Sequence, residues 1–147
     1  MRQVEIASNH QIVTPAELEY QSITFSPDGN YVYYVIFDNK SEPVLYKVAV
    51  LGGIATRVIE NVAVPKFSPD GKQIVFKRFY QDQQEEALVI ANADGTGEQK
   101  LVSHKEVFGW WYRSGLAWSP DGQVIACSVG SNVVAVNIEH LLLNRLA

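Results

Sequence analysis

The chain has 147 residues, of which 47% are apolar, 11% aromatic and 19% charged, and it carries a net charge of −4. That apolar share excludes a disordered tail and suffices for a packed core. No run of about 18 apolar residues occurs, so no helix is expected to cross a membrane, and the lack of a basic stripe to neutralise phosphates argues against nucleic acid as a partner.

The first strand-like stretches, 2–7 and 11–14, are short and partly alternating. Ile23-Thr24-Phe25 then leads into Ser26-Pro27-Asp28-Gly29, followed by an apolar run over 31–37, a second at 44–48, the pair Gly52-Gly53, and a last short run near Arg57-Val58-Ile59. The order repeats. Phe67 precedes Ser68-Pro69-Asp70-Gly71, then come runs at 73–76 and 87–91, the turn Asp94-Gly95-Thr96-Gly97, and Lys100-Leu101-Val102. Trp118 precedes Ser119-Pro120-Asp121-Gly122, followed by runs at 123–128 and 133–137. Successive copies begin 42 and 51 residues apart.

The tetrapeptide is built to turn. Pro27, Pro69 and Pro120 preset φ, while Gly29, Gly71 and Gly122 accept a positive φ without steric cost. Asp28, Asp70 and Asp121 can bond nearby amides, so they read as turn formers rather than ligands. The aromatic before each turn is expected to pack inward. The third run of each copy is apolar throughout, as in a sheet buried on both faces. Four short antiparallel strands recurring at about 40–50 residues are the signature of a propeller blade.

The order Phe-Ser-Pro-Asp-Gly, strand, Leu-Tyr-x-Val, Gly-Gly resembles the WD-repeat-like, TolB-type β-propeller repeat over residues 11–137, most closely in the second copy with Asn92-Ala93-Asp94-Gly95-Thr96-Gly97-Glu98. The expected fold is all-β: a partial propeller of about three four-stranded antiparallel blades in an open fan. Residues 1–20 supply the last strands of an incomplete preceding blade. Blades at 21–62 and 63–113 follow, and 114–147 form a blade with an incomplete or helical end, because 139–147 is rich in helix formers and has no Gly. An open fan leaves its flanks exposed, so the chain is expected to be an interior piece of a longer protein with further blades in cis, or to self-associate.

Binding residues concentrate on loops held by a rigid scaffold. The turns at the Ser-Pro-Asp-Gly face are short and uniform. The opposite face carries the connections 38–43, 60–63, 80–86 and 103–114, which read as longer and varied. Tyr80 and Asp82 lie there, as do Trp110, Trp111, Tyr112 and Arg113, residue types that dominate binding hot spots. These six are the candidate ligand- or partner-binding residues, with packing between blades as the competing role for part of the aromatic cluster. The acidic run 82–86 reads as a solvated loop balanced by Lys77 and Arg78.

Reactive chemistry is not legible. His10, His104 and His140 fall in different copies, and no Gly-x-Ser-x-Gly elbow occurs. Residues 95–100 lack the Gly-Lys-Ser/Thr of a phosphate loop. The stretch 92–96 lacks the third acidic ligand of a calcium loop and its bidentate Glu at the twelfth position, where Ser103 stands, and reads as an ordinary hairpin turn. Cys127 cannot form an internal disulfide and reads as a small core residue. The expectation is a chain with no catalytic residue, metal or cofactor, binding a protein, peptide or small ligand. The resemblance implies a bacterial parent, either the sensor part of a serine/threonine protein kinase or transcriptional regulator, the propeller gate of a prolyl-oligopeptidase-like peptidase, or a TolB-like periplasmic interaction protein.

Overall fold

The computed structural model describes residues 11–13, 18–37, 41–105, 115–129 and 132–139. Within them the chain is all-β, and its strands form three antiparallel sheets. Blade 1 joins β1 (Glu19–Phe25), β2 (Tyr31–Phe37), β3 (Val44–Ala49) and β4 (Thr56–Glu60) in sequence order. Blade 2 joins β5 (Ala63–Phe67), β6 (Gln73–Tyr80), β7 (Glu85–Asn92) and β8 (Gln99–His104) in the same way. Blade 3 joins β9 (Leu116–Trp118), β10 (Val124–Val129) and β11 (Asn132–Asn137), so three of its strands are described. The arrangement is an open, partial propeller.

Each blade begins at the same hydrogen-bonded corner. The Gly29, Gly71 and Gly122 amides donate to the carbonyls of Ser26, Ser68 and Ser119, each at 2.9 Å. The three glycines sit at φ 74°, 72° and 73°, the left-handed region that a Cβ penalises. The serine hydroxyl does two jobs. It donates to the neighbouring aspartate at 2.5, 2.6 and 2.5 Å. It also accepts the amide of Tyr31, Gln73 or Val124 at 3.0, 3.0 and 2.9 Å. The aspartate in turn accepts the amide of Asn30, Lys72 or Gln123.

Apolar side chains on alternating strand positions pack blade against blade. Tyr33, Val35, Leu45 and Ile59 of blade 1 meet Ile74, Phe76, Ala87 and Val89 of blade 2. The other face of blade 2, with Val75, Leu88, Ile90 and Leu101, meets Leu116, Ile125, Cys127 and Val136 of blade 3. Ile12 and Val13 pack against the outer face of blade 1 beside Val32, Tyr34 and Val48. A bulge in β5 between Ala63 and Lys66 holds Val64 at φ 51°, with its side chain against the contact between blades 2 and 3.

The inward packing expected of the three turn aromatics holds for two. Phe67 meets Tyr33 edge-on at 4.7 Å between ring centroids, and the Trp118 indole donates to the Lys66 carbonyl at 3.1 Å. Each thereby seats its blade on the one before. Phe25 is 60% exposed, because no described residue of an earlier blade stands over it. The expectation of third strands buried on both faces holds for β3 and β7 but not for β11. There Val133 is 82% exposed and Ala135 is exposed, since no sheet covers that side among the described residues. Residues 1–10 and 140–147, expected to hold an earlier strand and a helical end, lie outside the described residues.

The glycines predict a graded response. A Cβ at Gly29 would meet nothing within 4 Å, at Gly71 it would meet Pro27 Cγ at 2.9 Å, and at Gly95 (φ 88°) the Val58 carbonyl oxygen at 2.6 Å. All three Ala variants carry a left-handed-φ cost of about 1 kcal/mol. Denaturant unfolding is expected to rank the losses Gly95→Ala over Gly71→Ala over Gly29→Ala. Equal losses would show that the neighbouring blade does not press on these turns.

Candidate binding face

The end of blade 2 opposite its Ser-Pro-Asp-Gly corner holds both described candidate residues. Tyr80 is not in a loop, as the sequence suggested, but is the last residue of β6, because the strand pairing runs on to Tyr80–Glu85. The connection shrinks to residues 81–84, one 3-10 turn over Gln81–Gln83 with Asp82 exposed, closed by Gln84 at φ 47°. The connection between β4 and β5 is likewise short, at 61–62. Trp110, Trp111, Tyr112 and Arg113 lie outside the described residues.

Tyr80 is half-buried against the contact between blades 1 and 2, with the Lys100 ammonium 4.3 Å from its ring centroid. Lys100 pairs with Glu85, which is only 8% exposed. The Lys100 hydrogen bond, with help from Ser103, holds the Glu85 carboxyl below its ordinary pKa against the opposing effect of burial. Beside them Arg78 forks onto Glu98, with 2.9 Å from Nη2 to Oε1. It also donates to the carbonyls of Asn61 at 3.1 Å and Glu60 at 2.9 Å. Burial works against the Arg78 charge, but Glu98 and Tyr80 outweigh it and the guanidinium pKa rises. The Asn61 side chain donates to Glu42 at 3.0 Å and to the Phe79 carbonyl at 2.8 Å, linking blade 1 to blade 2.

Lys77 points to the opposite side of the same strand. It is 2% exposed, and its ammonium donates to the Ser128 carbonyl of blade 3 at 2.7 Å while pairing with Glu86 at 3.1 Å. The acidic run is therefore not a uniformly solvated loop. Glu85 and Glu86 are strand residues that neutralise Lys100 and Lys77, and Lys77 and Arg78 clamp blade 2 to its two neighbours. Next to Lys77 a cavity of about 350 Å³ opens between β8 and β11, lined among others by Leu88, Val102, His104, Val134 and Val136. Cys127 also lines it, and burial pushes its thiol pKa up.

At the other face, the Asp94 carboxylate is taken by the Thr96 amide at 2.9 Å and the Thr96 hydroxyl at 2.6 Å, a hairpin-turn arrangement. Asp28, Asp70 and Asp121 are each held below their ordinary pKa first by the serine hydroxyl and then by a backbone amide. Sequence reasoning missed Ser26, Ser68 and Ser119. Their signal was present, since serine opens all three tetrapeptides and offers both a donor and an acceptor. The partners Glu98, Asn61 and Lys100 carried no such signal.

Lys77→Ala is expected to cost about 3 kcal/mol, because it strands Glu86 beside the buried contact, and Arg78→Ala somewhat less, about 2 kcal/mol, since Glu98 reaches water. Urea unfolding checks both. The aspartate stabilisation is full above the ordinary value of 3.8 and disappears as pH falls through the lower folded pKa. In Ser68→Ala the Asp70 titration followed by NMR is expected to move up towards 3.8, and an unmoved titration would remove the hydroxyl as its chief cause.

The fold is that of known β-propeller domains. The propeller domain of the Trilobed protease from Pyrococcus furiosus, described as having an open velcro topology, aligns at 21% identity with TM-score 0.62, over 84% of this chain and 40% of that one. Pyrococcus horikoshii acylaminoacyl peptidase aligns at 22% identity with TM-score 0.57, over 75% of this chain and 17% of that one. TolB from Acinetobacter baumannii aligns at 17% identity with TM-score 0.65, over 82% of this chain and 30% of that one. This chain thus spans less than half the length of each of these structures. No family model and no curated protein matches the sequence. At these identities the likeness establishes a TolB-like propeller architecture and nothing finer.

Proposed function

We propose that the chain is a non-catalytic binding or scaffold module of a larger propeller protein, engaging a protein, peptide or small ligand through the face that carries Tyr80 and Asp82. One observation carries this reading: the two ends of the blades differ in chemistry. The Ser-Pro-Asp-Gly corners close on themselves, each hydroxyl and carboxylate bonded within its own turn. The opposite end holds an aromatic ring under a cation, carboxylates and a surface Asp82 on a strand scaffold fixed from both sides. Such a rigid platform suits recognition. The catalytic or regulatory domain belongs to another part of the parent, the sensor segment of a signalling kinase or regulator being the first assignment.

A second reading, the gate of a prolyl-oligopeptidase-like peptidase, draws support from the architectural likeness to two peptidase propellers. The flanking reading frame separates the two: a kinase or DNA-binding domain favours the first, a Gly-x-Ser-x-Gly hydrolase domain the second. Within the intact parent, a photo-crosslinking residue placed at Asp82 is expected to capture a partner, and one at Asn30 on the opposite face is not. Equal capture from both faces, or none from Asp82, would overturn the binding face. Replacing Trp110, Trp111 and Arg113 by Ala is expected to weaken that capture at an unchanged melting temperature, while a fall in melting temperature alone would assign them to packing.

A further inference from the structure

The repeat matches the two grooves between blades position by position, and one groove departs from the other. In blade 1 the cross-strand ladder Val35–Leu45–Ile59 faces blade 2. These side chains are 1%, 0% and 4% exposed, and Phe76 and Val89 of blade 2, packed against them, are also buried. That groove is closed. Counted from the serine corner, the same ladder in blade 2 is Lys77–Leu88–Val102, which faces blade 3. Val102 is 39% exposed. The place of Phe76 is taken by Cys127, which pairs with Val134 as Phe76 pairs with Val89.

A ring is thus missing from one wall, a methylene from the other, and a charged residue stands where blade 1 has Val35. The cavity of about 350 Å³ is the space these exchanges leave. It is additional to the slot that Leu101 fills: Leu101 is buried in the contact between blades 2 and 3, whereas the apolar walls of the cavity are Leu88, Val102, Cys127, Val134 and Val136. Lys77, Glu86 and His104 make its polar end, with Lys77 and Glu86 paired at 3.1 Å.

We propose that this cavity binds a small uncharged ligand with a one- or two-ring aromatic body and an N–H or O–H donor, the body lying between Leu88, Val102 and Val134 and the donor aimed at the Glu86 carboxylate. The volume sits at the lower end of the about 300–1,000 Å³ usual for ligand pockets, which suits rings and not a folded peptide. A ring also replaces what the repeat places there in the preceding groove, the side chain of Phe76. Lys77 and Glu86 neutralise each other, so a charged head group would be buried without a counter-ion. A carboxylate held by one ammonium keeps lone pairs for a further donor, and the Glu86 side chain is 17% exposed. The site lies on the side of blade 2 away from the Tyr80 ring and does not depend on the binding face proposed above.

The test titrates the full chain, labelled with ¹³C in its Leu and Val methyl groups, with indole, which has two rings and one N–H. Saturable shifts are expected at Leu88, Val102 and Val134, with Val35 and Leu45 of the closed groove unmoved. 1-Methylindole keeps the rings and loses the donor, and is expected to bind about tenfold more weakly. Benzoate, a ring with a negative charge and no donor, is expected not to displace indole. Cys127→Phe restores the ring found at Phe76 and is expected to abolish the shifts while unfolding stays cooperative. Val102→Phe, at the partly exposed rim, blocks the cavity without touching the buried wall and is expected to do the same. The proposal is overturned if excess indole leaves Leu88 and Val134 unmoved, as when the chain's own side chains occupy the space. Equal binding of 1-methylindole, displacement by benzoate, or undiminished binding in the folded filled variants would overturn it as well.

Discussion

Each blade is held in place by the one before it, through a contact the repeat makes every time a new sheet begins. The glycine of a turn lies under the proline of the preceding turn, as Gly71 does against Pro27, and at slightly greater distance Gly122 against Pro69. The residue ahead of the turn then drives a ring into the earlier sheet, Phe67 onto Tyr33 and Trp118 onto the Lys66 carbonyl. These contacts fix the spacing and rotation between sheets at their inner ends. The apolar faces behind them, with Phe76, Leu45 and Ile125 wholly buried, supply the bulk of the cohesion, each such side chain contributing roughly 1.5–3 kcal/mol.

The charged residues follow from the same geometry. Consecutive residues on a strand face opposite sides of the sheet, so Lys77 and Arg78 reach different neighbours. Arg78 ties blade 2 to the Glu60 and Asn61 carbonyls at the end of blade 1, and Lys77 ties it to the Ser128 carbonyl of blade 3. Neither charge is left bare, since Glu98 and Glu86 neutralise them, and such pairing is the condition on which a buried cation is tolerated. The polar platform around Tyr80 is the solvent-facing rim of that clamp.

The two flanks of the fan differ in what they expose. Blade 1 presents Phe25 and Ile23, 60% and 66% exposed, at the innermost strand of its outer side. Blade 3 presents the small side chains of Ala117, Ala126 and Ala135 beside Val133. A bulky surface at one end and a shallow one at the other suit contact with further sheets of the same design, not with copies of themselves face to face.

Sequence alone determined the strands, the three corners and the stacking of small sheets, because each is a local consequence of residue type. Proline, aspartate and glycine fix a turn wherever they stand in that order, and a short apolar run between two such turns has little choice but to be a strand. The serine hydroxyls were legible in principle from the same repetition. The lengths of the connections were not, because strand pairing extends as far as backbone partners exist: β6 and β7 run on through Tyr80 and Glu85, which residue types marked as loop. Nor could sequence say that Glu85 and Glu86 are shielded, or that Arg78 meets Glu98 across the blade. Those facts depend on which residues, far apart in the chain, are brought within hydrogen-bond distance, and only the packing of one sheet on the next decides that.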